Sequence, residues 1–160
     1  MEDVIRIASY IAGRFQKEYG CRIDEMKLHK LLYFTQRESI IQTGNPLFKT
    51  AFEAWKYGPV LVEIRRYYKN NTLDMELSVD KIEQYRPVFD KVFQQYASKD
   101  SWSLSTITHG EYAWQHARIG IPANENCSTK IQIEDIRKDA ERMRLRRFIL
   151  GKMKTLEGQL

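Results

Sequence analysis

Apolar residues recur at helical spacing along most of the chain. Near its start, Val4, Ala8, Ile11 and Phe15 follow one another at steps of three or four residues, which places them on one face of a helix. Gly20 is a residue type that ends helices, because glycine adopts the left-handed conformation at little cost. The pattern therefore predicts a first helix that runs up to Gly20.

A second helix is predicted to begin after Asp24, whose carboxylate can accept hydrogen bonds from the free N–H groups of a first helical turn. Leu28 and Leu31 share its apolar face. Lys27 and Lys30 fall beside that face, so we place both lysines on the flank of the helix.

The aromatic segment 52–57 is too short for a helix of its own and is typical of a short strand. Gly58-Pro59 follows it, and we interpret this pair as a strand-to-helix junction with Pro59 at the first helical position. Residues 130–133 alternate between polar and apolar types, which predicts a second short strand that can pair with the first.

Residues 78–96 keep a helical period but contain Pro87, which predicts either two helices or a kink at the proline. Two short helical pieces are predicted over 101–107 and 110–118, and a long final helix over 134–156. The expected fold class is therefore mainly α, a compact multi-helix domain with a small two-stranded β element.

The net charge of +5 is concentrated in the last predicted helix. The chain of 160 residues has the length of one domain, and its 42% hydrophobic and 29% charged residues are typical of a globular protein. Six basic residues lie near the end without an acid between them, and the other residues together carry a net charge of −1. The six are Arg142, Arg144, Arg146, Arg147, Lys152 and Lys154. Apolar neighbours such as Phe148 indicate that this segment docks on the body or on a partner.

The sequence contains no recognisable set of catalytic residues. His29, His109 and His116 have neither the spacing nor the companion ligands of a recognised metal site. Cys21 and Cys127 stand apart, without an evident base to activate a thiolate. We predict a protein that is not an enzyme and that binds no metal or other cofactor.

The first residues, Met1-Glu2-Asp3, are acidic where a secretory signal would be basic. No apolar run approaches the length of about 18 residues that a membrane span needs. Two isolated cysteines fit free thiols in a reducing compartment. The expectation is a cytoplasmic protein without a membrane partner.

Large rings cluster in the 52–59 segment and in the two short helices. They are Phe52, Trp55, Tyr57, Trp102 and Trp114. Such rings either fill a core or anchor a partner, and we weigh the two roles equally for Phe52, Trp102 and Trp114. Lys56 and Tyr57 adjoin the turn and are expected to be exposed.

Three segments carry a resemblance to a known family. They are residues 27–36 (KLHKLLYFTQ), residues 52–60 (FEAWKYGPV), and residues 104–109 followed by Trp114, Ala117 and Arg118. In this order and spacing they resemble the Panacea domain family of SocA-like antitoxins, also seen as phage-associated proteins on mobile elements. The chain differs at His29, where the family usually has Gln.

The resemblance implies a mainly helical fold and an antitoxin of a toxin–antitoxin system, which neutralises a co-encoded toxin protein by direct contact. Two alternatives stay open: an adaptor that delivers the toxin to a cytosolic protease, and an autoregulator that contacts operator DNA through its basic helix. We assign residues 1–136 to the antitoxin domain. Residues 137–160 are assigned to a basic helical extension that packs on the domain or on a partner.

The predicted partner-binding residues are Lys30, Trp55, Lys56, Tyr57, Gly58, Pro59, His109, Trp114 and Arg118. The six basic residues of the last helix form a candidate clamp for nucleic acid or for the partner. For His109 we also predict a structural role, in which it caps a helix or joins the Trp55 region to the short helices.

Overall fold

A computed structural model describes residues 1–159 of the chain. The elements are, in order, α1 Val4–Tyr19, α2 Glu25–Thr43, β1 Glu53–Trp55, β2 Gly58–Val60, α3 Val62–Lys69, α4 Val79–Val92, the π-helical turn Phe93–Ala97, α5 Ser101–His109, α6 Tyr112–Ala117 and α7 Ile133–Glu157. The predicted mainly helical fold with a two-stranded β element is confirmed. Within residues 1–159, no helix has the length and apolarity that a membrane span requires.

Helix α2 lies at the centre of the molecule. Every residue from 27 to 40 is buried, because α1, α4, α5, α7 and the sheet pack around it. A helix enclosed on all sides belongs to the core, whatever the polarity of its residues. The flank positions predicted for Lys27 and Lys30 are therefore wrong. The ammonium of Lys27 donates to the carbonyl of Ala97 at 3.0 Å instead of reaching solvent.

Several buried polar side chains of α2 find partners on neighbouring segments. The Gln36 amide nitrogen donates to the carbonyl of Phe48 at 2.8 Å, and its oxygen accepts from the backbone N–H of Leu47 at 2.7 Å. The guanidinium of Arg37 pairs with the carboxylate of Glu111, which is also buried. Because buried polar groups are costly without partners, these bonds fix where the neighbouring segments lie.

The two strands form an antiparallel hairpin in which Trp55 lies opposite Gly58 and Ala54 opposite Pro59. The predicted strand-to-helix junction at Gly58-Pro59 is therefore wrong, since both residues belong to β2 and α3 begins at Val62. Proline is tolerated in such a strand because its missing N–H leaves no gap at the edge of a sheet.

Residues 130–133 do not form the predicted second strand. Glu53 and Lys130 make a single bridge, and the N–H of Ile131 donates to the carbonyl of Phe52 at 2.8 Å. This pairing on the free edge of β1 stops because α7 begins at Ile133.

Helix α4 continues through Pro87, so the predicted division into two helices is wrong. Ile82 and Tyr85 before the proline pack on the same core as the buried Phe89 after it. This continuous apolar face outweighs the one hydrogen bond that proline cannot make. The helical geometry changes only at Phe93, where the π-helical turn begins.

The predicted final helix is confirmed as α7, and it secures α6. The first residue before α6, Glu111, makes no cap with its side chain. The carboxylate of Asp139 in α7 accepts from the N–H groups of Tyr112 at 2.9 Å and Ala113 at 2.8 Å. A cap supplied by another helix fixes both helices relative to each other.

Substitution of Gln36 by methionine tests whether α2 holds the fold through its polar contacts. Gln36→Met keeps the shape of the side chain but leaves a buried N–H and a buried carbonyl without partners, so we expect the free energy of unfolding to fall by about 3 kcal/mol. Urea denaturation followed by circular dichroism measures this change. Gln16→Met on the exposed side of α1 is the control, with an expected effect within about 0.5 kcal/mol. Equal effects of the two substitutions would contradict the role given to Gln36.

Candidate partner-binding surface

The β hairpin presents a two-residue turn, Lys56-Tyr57, at one end of the domain. Gly58 closes the turn with a φ of 114°, a conformation that residues with a side chain rarely adopt. A Cβ atom at this position would lie 2.5 Å from the hydroxyl of Thr108 and 2.6 Å from Cε of Lys30. Glycine is therefore required both by the backbone and by the close approach of α2 and α5.

Two adjacent residues of α2 bond to β2 and to the residue directly after it. The ammonium of Lys30 donates to the carbonyl of Pro59 at 3.2 Å, and Nδ1 of His29 accepts from the backbone N–H of Leu61 at 3.2 Å. The second contact assigns the ring proton of neutral His29 to Nε2. Both side chains thus hold the strand in position against α2.

The short helices hold the opposite side of the hairpin. The Ser105 hydroxyl donates to the carbonyl of Tyr57 at 2.7 Å, and the indole of Trp114 donates to the carbonyl of Trp55 at 2.8 Å. The guanidinium of Arg118 donates to the carbonyl of Ala54 at 2.8 Å. Backbone carbonyls along the hairpin are thereby bonded to side chains of α5 and of the residues in and after α6.

His109 completes this support by stacking on Trp114, with ring centroids 4.3 Å apart. Burial lowers the pKa of His109, which favours the neutral imidazole. A neutral ring stacks on the indole without the cost of desolvating a charge. His109 thus packs against the same tryptophan that bonds to the strand.

The structure places the nine predicted partner-binding residues in one region but at different depths. Lys30, Gly58, Pro59, Trp114 and Arg118 are buried, Trp55, Lys56 and His109 are half-buried, and Tyr57 is exposed. The buried residues hold the hairpin, and the surface that a partner can touch lies at the turn.

Trp102 extends this surface and is absent from the predicted set. It is 61% exposed at the start of α5, and its ring meets that of Tyr57 edge to face at a centroid distance of 5.3 Å. The ammonium of Lys56 lies over the Tyr57 ring at 5.1 Å. The polar residues Ser101 and Ser103 on either side of Trp102 are a local signal that it lies at the surface. Phe52 and Trp114, by contrast, are core residues.

A cavity of about 340 Å³ lies between the hairpin and the start of α2, where His29, Lys30, Trp55 and Tyr57 contribute to its lining. Burial lowers the pKa of His29 to about 3, so the imidazole is neutral at physiological pH. Burial also lowers the pKa of Lys30 to about 7, against the opposing influence of nearby carboxylates. The hairpin therefore rests on a lysine whose charged form is disfavoured.

The six predicted clamp residues are on α7, away from the hairpin. Arg142, Arg144, Arg146, Lys152 and Lys154 are exposed. Arg147 differs, because its guanidinium forms two bonds with the buried carboxylate of Glu38 in α2, at 2.9 and 2.8 Å. Within residues 1–159 there is no group of three His, Cys, Asp or Glu residues that could hold a metal ion.

Gly58→Ala tests the close approach beneath the hairpin. We expect a loss of about 3 kcal/mol in the free energy of unfolding, from an unfavourable φ and from the clash with Thr108 and Lys30. Gly120→Ala is the matched control, since Gly120 also has a positive φ of 82° but open space around it. We expect it to cost about 1 kcal/mol in urea denaturation. Equal losses would show that the contact with α2 and α5 is unimportant.

Lys30→Met tests the cost of the buried lysine. As the pH falls from about 10.5, the lysine of the unfolded chain takes up a proton, whereas that of the folded protein does so only near 7. Lys30 therefore disfavours folding increasingly between pH 10.5 and 7. We expect the variant to be about 2 kcal/mol more stable than the wild type at pH 7, and the difference to shrink towards pH 10. Urea denaturation at both pH values measures it, and a difference independent of pH would contradict the assignment.

The chain is similar in sequence to known proteins over part of its length. The family profile of the SocA-like antitoxins with a Panacea domain matches residues 28–115, just over half of the chain. Antitoxin SocA of Caulobacter vibrioides (strain NA1000 / CB15N) is 41% identical over 49 residues, which cover 31% of this chain and 26% of that protein. The chain thus aligns with about a quarter of the length of this curated relative. No solved structure matches the chain significantly. Because the family profile matches more than half of the chain, the chain belongs to the SocA-like antitoxin family with a Panacea domain.

Proposed function

We propose that this protein is an antitoxin that neutralises a co-encoded toxin by direct protein–protein contact in the cytoplasm. Membership of the SocA-like antitoxin family supports a toxin as the partner. The proposed role needs no catalytic step, because a bound antitoxin can cover the surface through which its toxin acts.

The observation that carries the proposal is the exposed pair of Tyr57 and Trp102 on a rigid frame. Aromatic side chains dominate the binding energy of many protein interfaces, since they bury a large area and lose little conformational freedom. Bonds from α2, α5 and α6 fix the hairpin that bears Tyr57. A surface that is ordered before binding has less entropy to lose when the partner arrives.

A second candidate function is binding to operator DNA, and the exposed cations of α7 favour it. Basic side chains that neutralise phosphates release counterions, so such binding would weaken steeply as salt is raised. The apolar residues between these cations fit a protein surface better than a phosphate backbone. Direct toxin binding therefore remains our principal proposal.

Co-expression with the neighbouring reading frame of the source genome tests the proposed function. We expect that frame to arrest growth alone, and this chain to restore growth and to co-purify with its product. The double substitution Tyr57→Ala with Trp102→Ala is expected to weaken binding at least tenfold, because it removes both exposed rings and leaves the core unchanged.

Val79→Ala is the matched control for the aromatic pair. Val79 is 74% exposed at the start of α4, so its truncation removes an exposed apolar side chain from another part of the surface. We expect wild-type affinity for this variant, and wild-type circular dichroism for both. A toxic neighbour that neither binds this chain nor is neutralised by it would refute the proposed function. Unchanged binding by the double variant would place the interface elsewhere.

A further inference from the structure

The last three turns of α7 carry an apolar stripe. The stripe consists of Leu145, Phe148, Ile149, Met153 and Leu156. The last four follow Leu145 by 3, 4, 8 and 11 residues, which places all five on one face of the helix. Each of these side chains is between 49% and 64% exposed. So many large apolar side chains along one exposed helical face are typical of an interaction site.

The stripe faces away from the body of the protein. Ile136, which α7 buries against the core, lies nine residues before Leu145, or about two and a half turns, and therefore on the opposite side. Arg147, two residues after Leu145, lies on that opposite side as well, where it bonds to Glu38 and to Gln95 at 3.2 Å. Helix α7 thus packs one apolar face on the core near its start and exposes a second apolar face closer to its end.

Exposed cations surround the stripe. Arg144 and Arg146 lie on either side of it, and Lys152 falls within it. The sequence contains no acidic residue between positions 142 and 156. A second copy of the same helix is therefore a poor occupant, because pairing would bring like charges together. The complementary surface is an apolar groove with carboxylates along its rim.

We infer that the stripe of α7 inserts into an apolar groove with an acidic rim on the toxin. This inference rests on the proposed function, since the toxin is its occupant. An amphipathic helix in a groove is a common mode of recognition, in which side chains at these helical spacings act as anchors. Arginine also suits the rim, because its guanidinium forms paired hydrogen bonds with a carboxylate.

The test uses the full chain and the purified product of the neighbouring reading frame. Leu145→Ala combined with Phe148→Ala should weaken binding at least tenfold, since two neighbouring anchors lose most of their contact area. Leu150→Ala is the matched control, because Leu150 is exposed on the same helix but outside the stripe. Its affinity should stay within about twofold of the wild type. Arg144→Glu with Arg146→Glu should also weaken binding, and wild-type affinity should fall as salt rises.

Several outcomes would overturn the inference. If the wild type neutralises and binds the toxin but the stripe variant binds equally well, the proposed function stands and the stripe is not its contact. If the wild type does not bind the toxin, both fall. Loss of a homodimer in the stripe variant by analytical ultracentrifugation, with toxin binding unchanged, would assign the stripe to a second copy. Stripe-dependent binding only to phosphatidylcholine–phosphatidylglycerol vesicles, or only to a mixed-sequence DNA duplex, would overturn it too.

Discussion

The burial of α2 on every side constrains the rest of the fold. A helix in this position exposes no polar flank, so its polar side chains are stabilised mainly by hydrogen bonds to other parts of the protein. Lys27 bonds to the end of the π-helical turn, and Gln36 bonds to the segment after α2. Arg37 bonds to Glu111 and to Tyr96. Glu38 accepts hydrogen bonds from a guanidinium of α7. Since these partners lie on different elements, the contacts that satisfy α2 also set the positions of its neighbours. Polar bonds require defined geometry, so they fix register in a way that apolar packing alone does not.

The same arrangement extends from the core to the hairpin. His29 and Lys30 belong to the buried helix, yet Lys30 bonds to Pro59 in β2, two residues after the exposed turn, and His29 bonds to Leu61 directly after the strand. Most residues that carry the family resemblance, such as Gly58, Trp114 and Arg118, are in this buried frame. Tyr57 and Trp102 lie beside this frame and are exposed.

The periodicity of apolar residues is sufficient to predict a helix that packs on the core along one face only. The spacing of apolar residues and the glycine after them predict α1, because this helix has one face on the core and another in solvent. For α2 the same reasoning misplaced Lys27 and Lys30, since a pattern along one helix cannot show how many neighbours enclose it. Gly58-Pro59 fits both a helix start and a hairpin. The choice depends on the approach of Lys30 and Thr108, which are 28 and 50 residues away in the sequence. Trp102 was undecided because ring size does not determine which way a ring faces.

Helix α7 carries most of its acidic residues near its start and a run of basic residues towards its end. Two of its early acids are buried against the body, where Asp139 caps α6 and the carboxylate of Asp135 lies 2.6 Å from the imidazole of His116. Its later cations have few such partners, so an exposed positive segment projects from a body whose remaining charge is nearly neutral. Charge acts over a longer range than apolar contact, up to about 10 Å at moderate salt. An acidic partner would therefore be drawn to this segment before the apolar stripe loses its water. Attraction and burial would then act in sequence on one helix, with the charge governing the rate of association and the stripe the lifetime of the complex.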